Sequence, residues 1–473
     1  MGNHLIRKQV LDLKVSKRLD AFQVQHKARH FYYSKIIPAL EKIFDELCGE
    51  EETIQLNTLI LDMGELDEKN IEKLIWTDKS YGLLKTQISK QLLITPTGKS
   101  AVRISQKENA ARQWLFYMQR GYLNWNTIDT NEKWYQTVIE VLATDFVLVA
   151  QLRKHLKEEK NIAERIVFDH PVSFLINLLK VITTKKITHI EDTVEMLVAI
   201  LNDWYKEISG QSKNSKEIQQ RLWVTILQLA ALERVKNSTE ELFRETIIRE
   251  SLIAVVPTAE FIQFVEKSGV IDTVIKKILN EKKDDRIKEI EENKKLTEDL
   301  KEESVIDADG IYVQHAGLVL VHPFLPAFFR KLGLLEANQF INNDSRQKAV
   351  WLLHYLATGN TEALEYEIAL PKIICGWPLE KVIAPVEIAV NERGEADNLL
   401  LSVIEKWDKL KNTSTTALQE NFLQRHGKIV IKNNTVFVQV ESSTLDMLLD
   451  FLPWNLSIIK FPWKNELIRV EWR

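Results

Sequence analysis

Proline beside tryptophan fixes a backbone angle next to the largest apolar side chain, and this chain does so twice near its C-terminal end. Pro453-Trp454 and Pro462-Trp463 are followed by Trp472. Each pyrrolidine ring holds φ at about −65°, so the neighbouring indole projects from stiff backbone. Leu456–Ile458 and Leu467–Arg469 read as short strands around the two pairs. Chain ends without such anchors are polar and loosely held. Two fates follow for the indoles. They close a domain from inside, or they form an apolar docking surface. Trp454, Trp463 and Trp472 are therefore the candidate partner contacts, with burial in a domain the expected fate.

A chain of 473 residues is long for one core, and two or three domains are expected. Residues 1–94 read as a small α/β unit. Leu11, Leu13 and Val15 alternate with polar residues as in a strand. A helix over Asp20–Leu47 follows, with Pro38 forcing a break or kink. A second strand covers 54–62 and a second helix 67–92, with a right-handed crossover if the strands are parallel neighbours. Residues 95–280 read as a helical domain, with apolar spacings of three and four over 110–120, 132–156, 171–182, 193–208 and 215–232. Breaks are expected at Gly121, His170-Pro171, Ser209-Gly210 and Val256-Pro257.

Residues 281–303 alternate in charge sign and read as a solvated helical linker. Residues 304–473 form a C-terminal α+β domain. Tyr312–Val321 is strand-like, and helices are expected over 324–332, 346–357, 398–411 and 417–425. Lys428–Lys432 and Thr435–Val440 flank Asn433-Asn434, a hairpin signal because Asn tolerates the positive φ of a two-residue loop. The fold class is mostly α with α+β ends.

Composition excludes several function classes. At 45% hydrophobic and 27% charged residues, the chain is ordinary globular protein rather than a disordered one. A net charge of −4 gives no general attraction to phosphate backbones or anionic membranes. Two distant cysteines, Cys48 and Cys375, build neither a disulfide framework nor a zinc site. The start lacks the apolar run of a signal peptide, and apolar stretches such as Leu222–Leu232 are too short to span a bilayer. A cytoplasmic protein with no nucleic-acid partner and no membrane span is expected.

Catalytic signatures are missing. Thr97-Gly98-Lys99-Ser100 resembles the end of a phosphate loop, but Leu93 stands where the required glycine would be. His315 and His322 would point to opposite faces of a strand, which favours capping or core hydrogen bonding over metal ligation. Asp446 and Asp450 have the spacing of one helix face, read as solvated. No catalytic, cofactor-binding or metal residue is assigned.

Several segments converge on one family. Ala316–Pro326 (AGLVLVHPFLP), Leu352–Gly359, Leu370–Gly376, Trp407–Ser414, Phe422–Lys428 and the two Pro-Trp pairs resemble the contractile injection system tape measure family. So do Ile37–Glu41 and Leu59–Gly64. The resemblance covers both ends of the chain well and the helical middle loosely. It implies a non-enzymatic component of a phage-tail-like machine that sets tube and sheath length and contacts tube, baseplate or cap subunits, with self-association possible. The globular pattern of the middle supports an alternative: a compact assembly adaptor or chaperone of the same machine.

Overall fold

A computed structural model of the chain describes residues 4–6, 8–15, 20–49, 51–64, 78–93, 101–127, 130–184, 187–210, 214–232, 239–255, 261, 263–264, 267, 275, 310–433 and 435–472. The expected linker 281–303, the start of the helix expected from residue 67, and Val256-Pro257 lie outside these residues. The chain divides into two compact units, Met1–Arg112 with Ile128–Val141, and Gln113–Thr127 with Leu142–Arg473.

In the first unit, Asp20 Oδ1 accepts from Phe22 N at 2.9 Å and caps α1 (Ala21–Phe31). The single helix expected over 20–47 is interrupted just before Pro38. A π-turn at Tyr32–Ile36 precedes α2 (Ile37–Leu47) and places Pro38 in its first turn, where its missing N–H costs little. Ile36, Leu40 and Ile43 share one stripe and pack on Leu84 and Ile88 of α3 (Asp78–Leu93).

The strands of this unit differ from expectation. Residues 11–15 have no regular secondary structure and join no sheet among the described residues. β1 (Glu52–Leu56) is shorter than expected and pairs antiparallel with β2 (Ala101–Ser105). Beyond Leu56 the chain stays outside the ladder because glutamines of α3 satisfy its backbone instead. Gln91 Oε1 accepts from Ile60 N at 3.1 Å, and Gln87 Oε1 from Asp62 N at 2.9 Å. Leu59, Leu61 and Met63 still alternate onto the core.

The second unit takes up the end of α4 (Gln106–Arg120), which stops at Gly121. The helix expected over 132–156 is two, α5 (Glu132–Thr144) and α6 (Phe146–Glu158). Asp145 Oδ1 takes the backbone N–H groups of Val147 and Leu148 at 2.9 and 3.1 Å, so a new helix starts inside an unbroken apolar pattern. α7 (Lys160–Asp169), α8 (Val172–Thr183), α9 (Ile190–Ser209), α10 (Ser215–Ala230) and α11 (Glu240–Val255) follow. α10 is central, packing against α6, α7, α8, α9 and α11. Its Leu222, Trp223, Ile226 and Leu227 are buried, each worth about 1.5–3 kcal/mol of apolar transfer.

The remainder of this unit builds a mixed five-stranded sheet in the order β3 (Ile311–Val313), β6 (Gly427–Lys432), β7 (Thr435–Val440), β9 (Leu467–Glu471), β8 (Ile458–Ile459). The β6–β7 hairpin forms as expected, with Asn433 at φ +48°. β7 and β9 are parallel. A separate two-stranded ribbon joins β4 (Leu335–Glu336) and β5 (Gln339–Phe340). Helices α12 (Leu325–Lys331), α13 (Asn343–Thr358), α14 (Ala369–Cys375) and α15 (Val390–Lys406) share the core with the main sheet.

The strand expected over 312–321 ends at Val313. Ala316–Val321 is a 3₁₀-helix with all six residues buried. It passes so close to the π-turn Gln419–Leu423 that a Cβ on Gly317 would lie 1.7 Å from Phe422 O. The helix expected over 398–411 begins earlier, at Val390, because Glu392 reaches back to Ala389 N at 2.8 Å.

Candidate functional site

The densest chemistry lies among buried charges in the second unit, at residues the sequence did not single out. Arg165 on α7 is 0% exposed, Glu365 4% and Lys372 1%. Arg165 Nε donates to Glu365 Oε2 at 2.7 Å, and Lys372 Nζ donates to Glu365 Oε1. Arg165 Nη2 also reaches Glu365 Oε1 at 3.4 Å, and the rest of the donor capacity goes to backbone. Arg165 Nη2 reaches Glu380 O at 2.8 Å and Nη1 reaches Met118 O; Lys372 Nζ reaches Leu379 O and Lys381 O at 3.1 and 3.0 Å. Asp169, one turn after Arg165, accepts from Tyr117 OH and from Glu365 N, the latter at 3.3 Å. Three stretches far apart in sequence, 117–121, 165–169 and 365–381, meet here.

Burial sets the ionisation of the group. Desolvation, reinforced by the Glu365 charge, raises Asp169 to about 7, and Tyr117 goes well up for the same first reason. Burial lowers Lys372, with Glu365 opposing. It acts against Arg165 too, but Glu365, together with Tyr117 and Asp169, outweighs it and the net shift is upward. His170 is pushed down to about 4 by burial. It is held neutral by geometry as well, with Nδ1 2.9 Å from Ile166 O and Nε2 accepting from Trp114 Nε1 at 3.0 Å.

What can such a cluster do? Both oxygens of Glu365 and the Lys372 ammonium are fully engaged with protein groups, which leaves no nucleophile or base presented to a substrate. Ions removed from water in this way are costly unless every partner is in place. The arrangement is a clamp that fixes how helices of the middle of the chain meet the C-terminal segment.

The three tryptophans face inward. Trp463 is 6% and Trp472 8% exposed, while Trp454 is half-buried. Trp463 Nε1 donates to Ile374 O at 2.8 Å, and its ring stacks on Phe461 at 4.9 Å and meets Phe329 and Phe340. Trp454 Nε1 donates to Leu320 O at 3.0 Å, with its ring edge-on to Phe324. The two Pro-Trp pairs thus grip different helices, α14 and the 316–321 turn, and their indoles offer little face to a partner.

Of the other residues noted in the sequence, the histidines make the expected core contacts and Asp446 departs from expectation. His322 Nδ1 lies 3.0 Å from Val319 O, while His315 packs against His354, ring centroids 5.5 Å apart. Burial lowers His315 and His354 to about 4 each. Asp446 is not solvated. It is buried, pairs with Arg425 Nη2 at 3.1 Å and accepts from Ser443 N at 2.8 Å, whereas Asp450 is exposed. Their segment, Thr444–Phe451, is a 3₁₀-helix, where residues four apart point about 120° away from each other. Cys375 is buried, which raises its thiol, and Cys48 is half-buried. Among the described residues no group of three or more His, Cys, Asp or Glu is arranged to hold a metal.

A family model described as contractile injection system tape measure protein matches residues 3–472. The chain belongs to that family. The resemblance read from the motifs at both ends therefore extends across the loosely matching helical middle. Membership makes this tape measure family protein a component of a contractile system and implies contacts with that system's other subunits. No curated protein and no solved structure matches the chain. Among the described residues, no single helix of this family member is long and apolar enough to cross a membrane.

Proposed function

We propose that this chain sets tube and sheath length in a contractile particle, acting without enzymatic chemistry through contacts with tube, baseplate or cap subunits. The observation that carries this reading is the family match over residues 3–472. The inward-facing, fully engaged charges of the Glu365 cluster agree with a structural role. A ruler made of helix advances about 1.5 Å per residue. Duplicating residues 281–303 in frame leaves the packed helices intact and should lengthen particles by roughly 35 Å at that rise. Electron microscopy of the particles reads this directly. Particles that still assemble at unchanged length refute the ruler.

One observation favours the alternative of a compact adaptor or chaperone. α10 is surrounded by five helices, and the Arg165–Glu365 pair fastens the middle of the chain to the C-terminal segment. An adaptor predicts that loosening this clamp lowers particle yield without altering the length of those that form.

A further inference from the structure

The five-stranded sheet of the second unit has two unlike faces. Ile311, Ile429, Val436, Val438, Ile468 and Val470 turn inward and belong to the large core. Alternation sends their neighbours to the other side, which in a sheet facing water is normally polar. Here Tyr312, Val430, Phe437, Ile458 and Leu467 all lie on that side. The five stand outside the core, and Tyr312, Ile458 and Leu467 are 38%, 56% and 37% exposed. Register gathers them. Val430 pairs with Phe437, Phe437 with Arg469 and Arg469 with Ile458, while Leu467 is the next residue of β9 on the same side. Charge on this face is lopsided. Lys428, Lys432 and Arg469 share it with one acidic residue, Glu471, which already accepts from Gln439 Nε2 at 2.7 Å. The chain as a whole carries −4.

We propose that this outer face docks a helix of another subunit of the contractile system, one whose apolar stripe is flanked by Asp and Glu. Apolar side chains gathered on a surface and rimmed by polar ones mark a site of protein contact. The excess of basic residues calls for carboxylates beside the stripe. A helix is the element that covers the face of a sheet rather than its edge, as helices already do on the inner side. Strands of five or six residues run roughly 17–20 Å, the length of about twelve helical residues. A second copy of this chain would bring the same positive excess on the same face. A nucleic acid suits the cations but offers no stripe for Val430, Ile458 and Leu467. The proposal rests on contact with the system's other subunits and is independent of length setting.

A photo-crosslinker at position 458 of the full-length chain, irradiated during particle assembly, should link to one helical segment rich in Asp and Glu in another subunit. Lys432→Glu combined with Arg469→Glu changes two exposed side chains and should leave the thermal midpoint unchanged. It should weaken binding of that purified subunit about tenfold, an effect that shrinks as salt rises. Leu467→Ser should weaken binding about three- to tenfold at any salt. Exchanging acidic residues of the linked helix for lysine should restore binding to the double variant. Links to a second copy of this chain, to nucleic acid, or to nothing in assembled particles overturn the proposal. So does binding indifferent to both changes. If the double variant misfolds, Leu467→Ser and the link map decide. Links that persist while duplication of residues 281–303 leaves particle length unchanged sink the ruler and leave this surface standing.

Discussion

Replacing Glu365 by Gln removes the carboxylate that Arg165 and Lys372 share. The amide keeps one acceptor where the carboxylate served both cations, and it turns an N–H toward donors. Breaking a buried ion pair from one side costs about 3–5 kcal/mol, because the stranded charge stays out of water. Here two cations are stranded, at 0% and 1% exposure, so the loss belongs at the upper end. Urea unfolding at neutral pH measures it, with tryptophan fluorescence as a local reporter. Trp377 Nε1 donates to Lys381 O, a carbonyl Lys372 also uses. Removing all three charges together, as Arg165→Met, Glu365→Leu and Lys372→Met, should restore most of the loss, since apolar replacements of whole buried triads are often neutral or better. The cycle of Glu365→Gln with Lys372→Met should show coupling above about 1 kcal/mol. A Glu365→Gln loss below about 1 kcal/mol, or strict additivity with Lys372→Met, would mean the cluster is solvated and the clamp is not one.

Three further outcomes follow from packing and ionisation. His170, His315 and His354 are each lowered from 6.5 to about 4, so they contribute stability that is lost as pH falls through that window. Asp169, raised from 3.8 to about 7, works the other way: its contribution is present at low pH and lost as pH rises. Asp169→Asn should therefore steepen the loss of stability on acidification by about one proton, measured as unfolding free energy against pH; an unchanged slope refutes the assignment. Gly317→Ala sets a methyl 1.7 Å from Phe422 O and should leave little soluble protein, whereas Gly394→Ala, with nothing within 4 Å, should be tolerated. Trp463→Phe keeps the aromatic stack but strands Ile374 O, at a cost of about 1–3 kcal/mol by thermal unfolding.

Much of the fold is legible in the chain, and the failures have local causes. The helical spacings, the breaks at Gly121 and Pro171, the Asp20 cap and the Asn433 turn need only neighbours in sequence. The 144–146 break was hidden because Asp145 caps a helix without interrupting the apolar period. Residues 11–15 have a strand's alternation but join no ladder among the described residues. Ala316–Val321 reads as a buried strand because periodicity does not distinguish a wholly apolar strand from a wholly buried 3₁₀ turn. The charge cluster was illegible in a stricter sense, since Arg165 and Glu365 are 200 positions apart. One signal was available. Lys372 sits inside Ala369–Cys375, where all seven residues are buried, and Arg165 stands among Ile162, Ala163, Ile166 and Val167, also buried. A lone charge in an apolar run asks for a partner elsewhere.

The position of β9 sets the order in which this domain can be completed. It lies between β7 and β8, pairing parallel with one and antiparallel with the other, yet it is synthesised after both. While the ribosome makes residues 441–466, β7 waits with an unpaired edge, and the Trp463 stack has not yet reached α14. A nascent chain short of residue 461 therefore exposes both an open sheet edge and the groove that Phe461 and Trp463 later fill. An unpaired edge of that kind is a template for pairing with other chains, and β9 is the element that covers it.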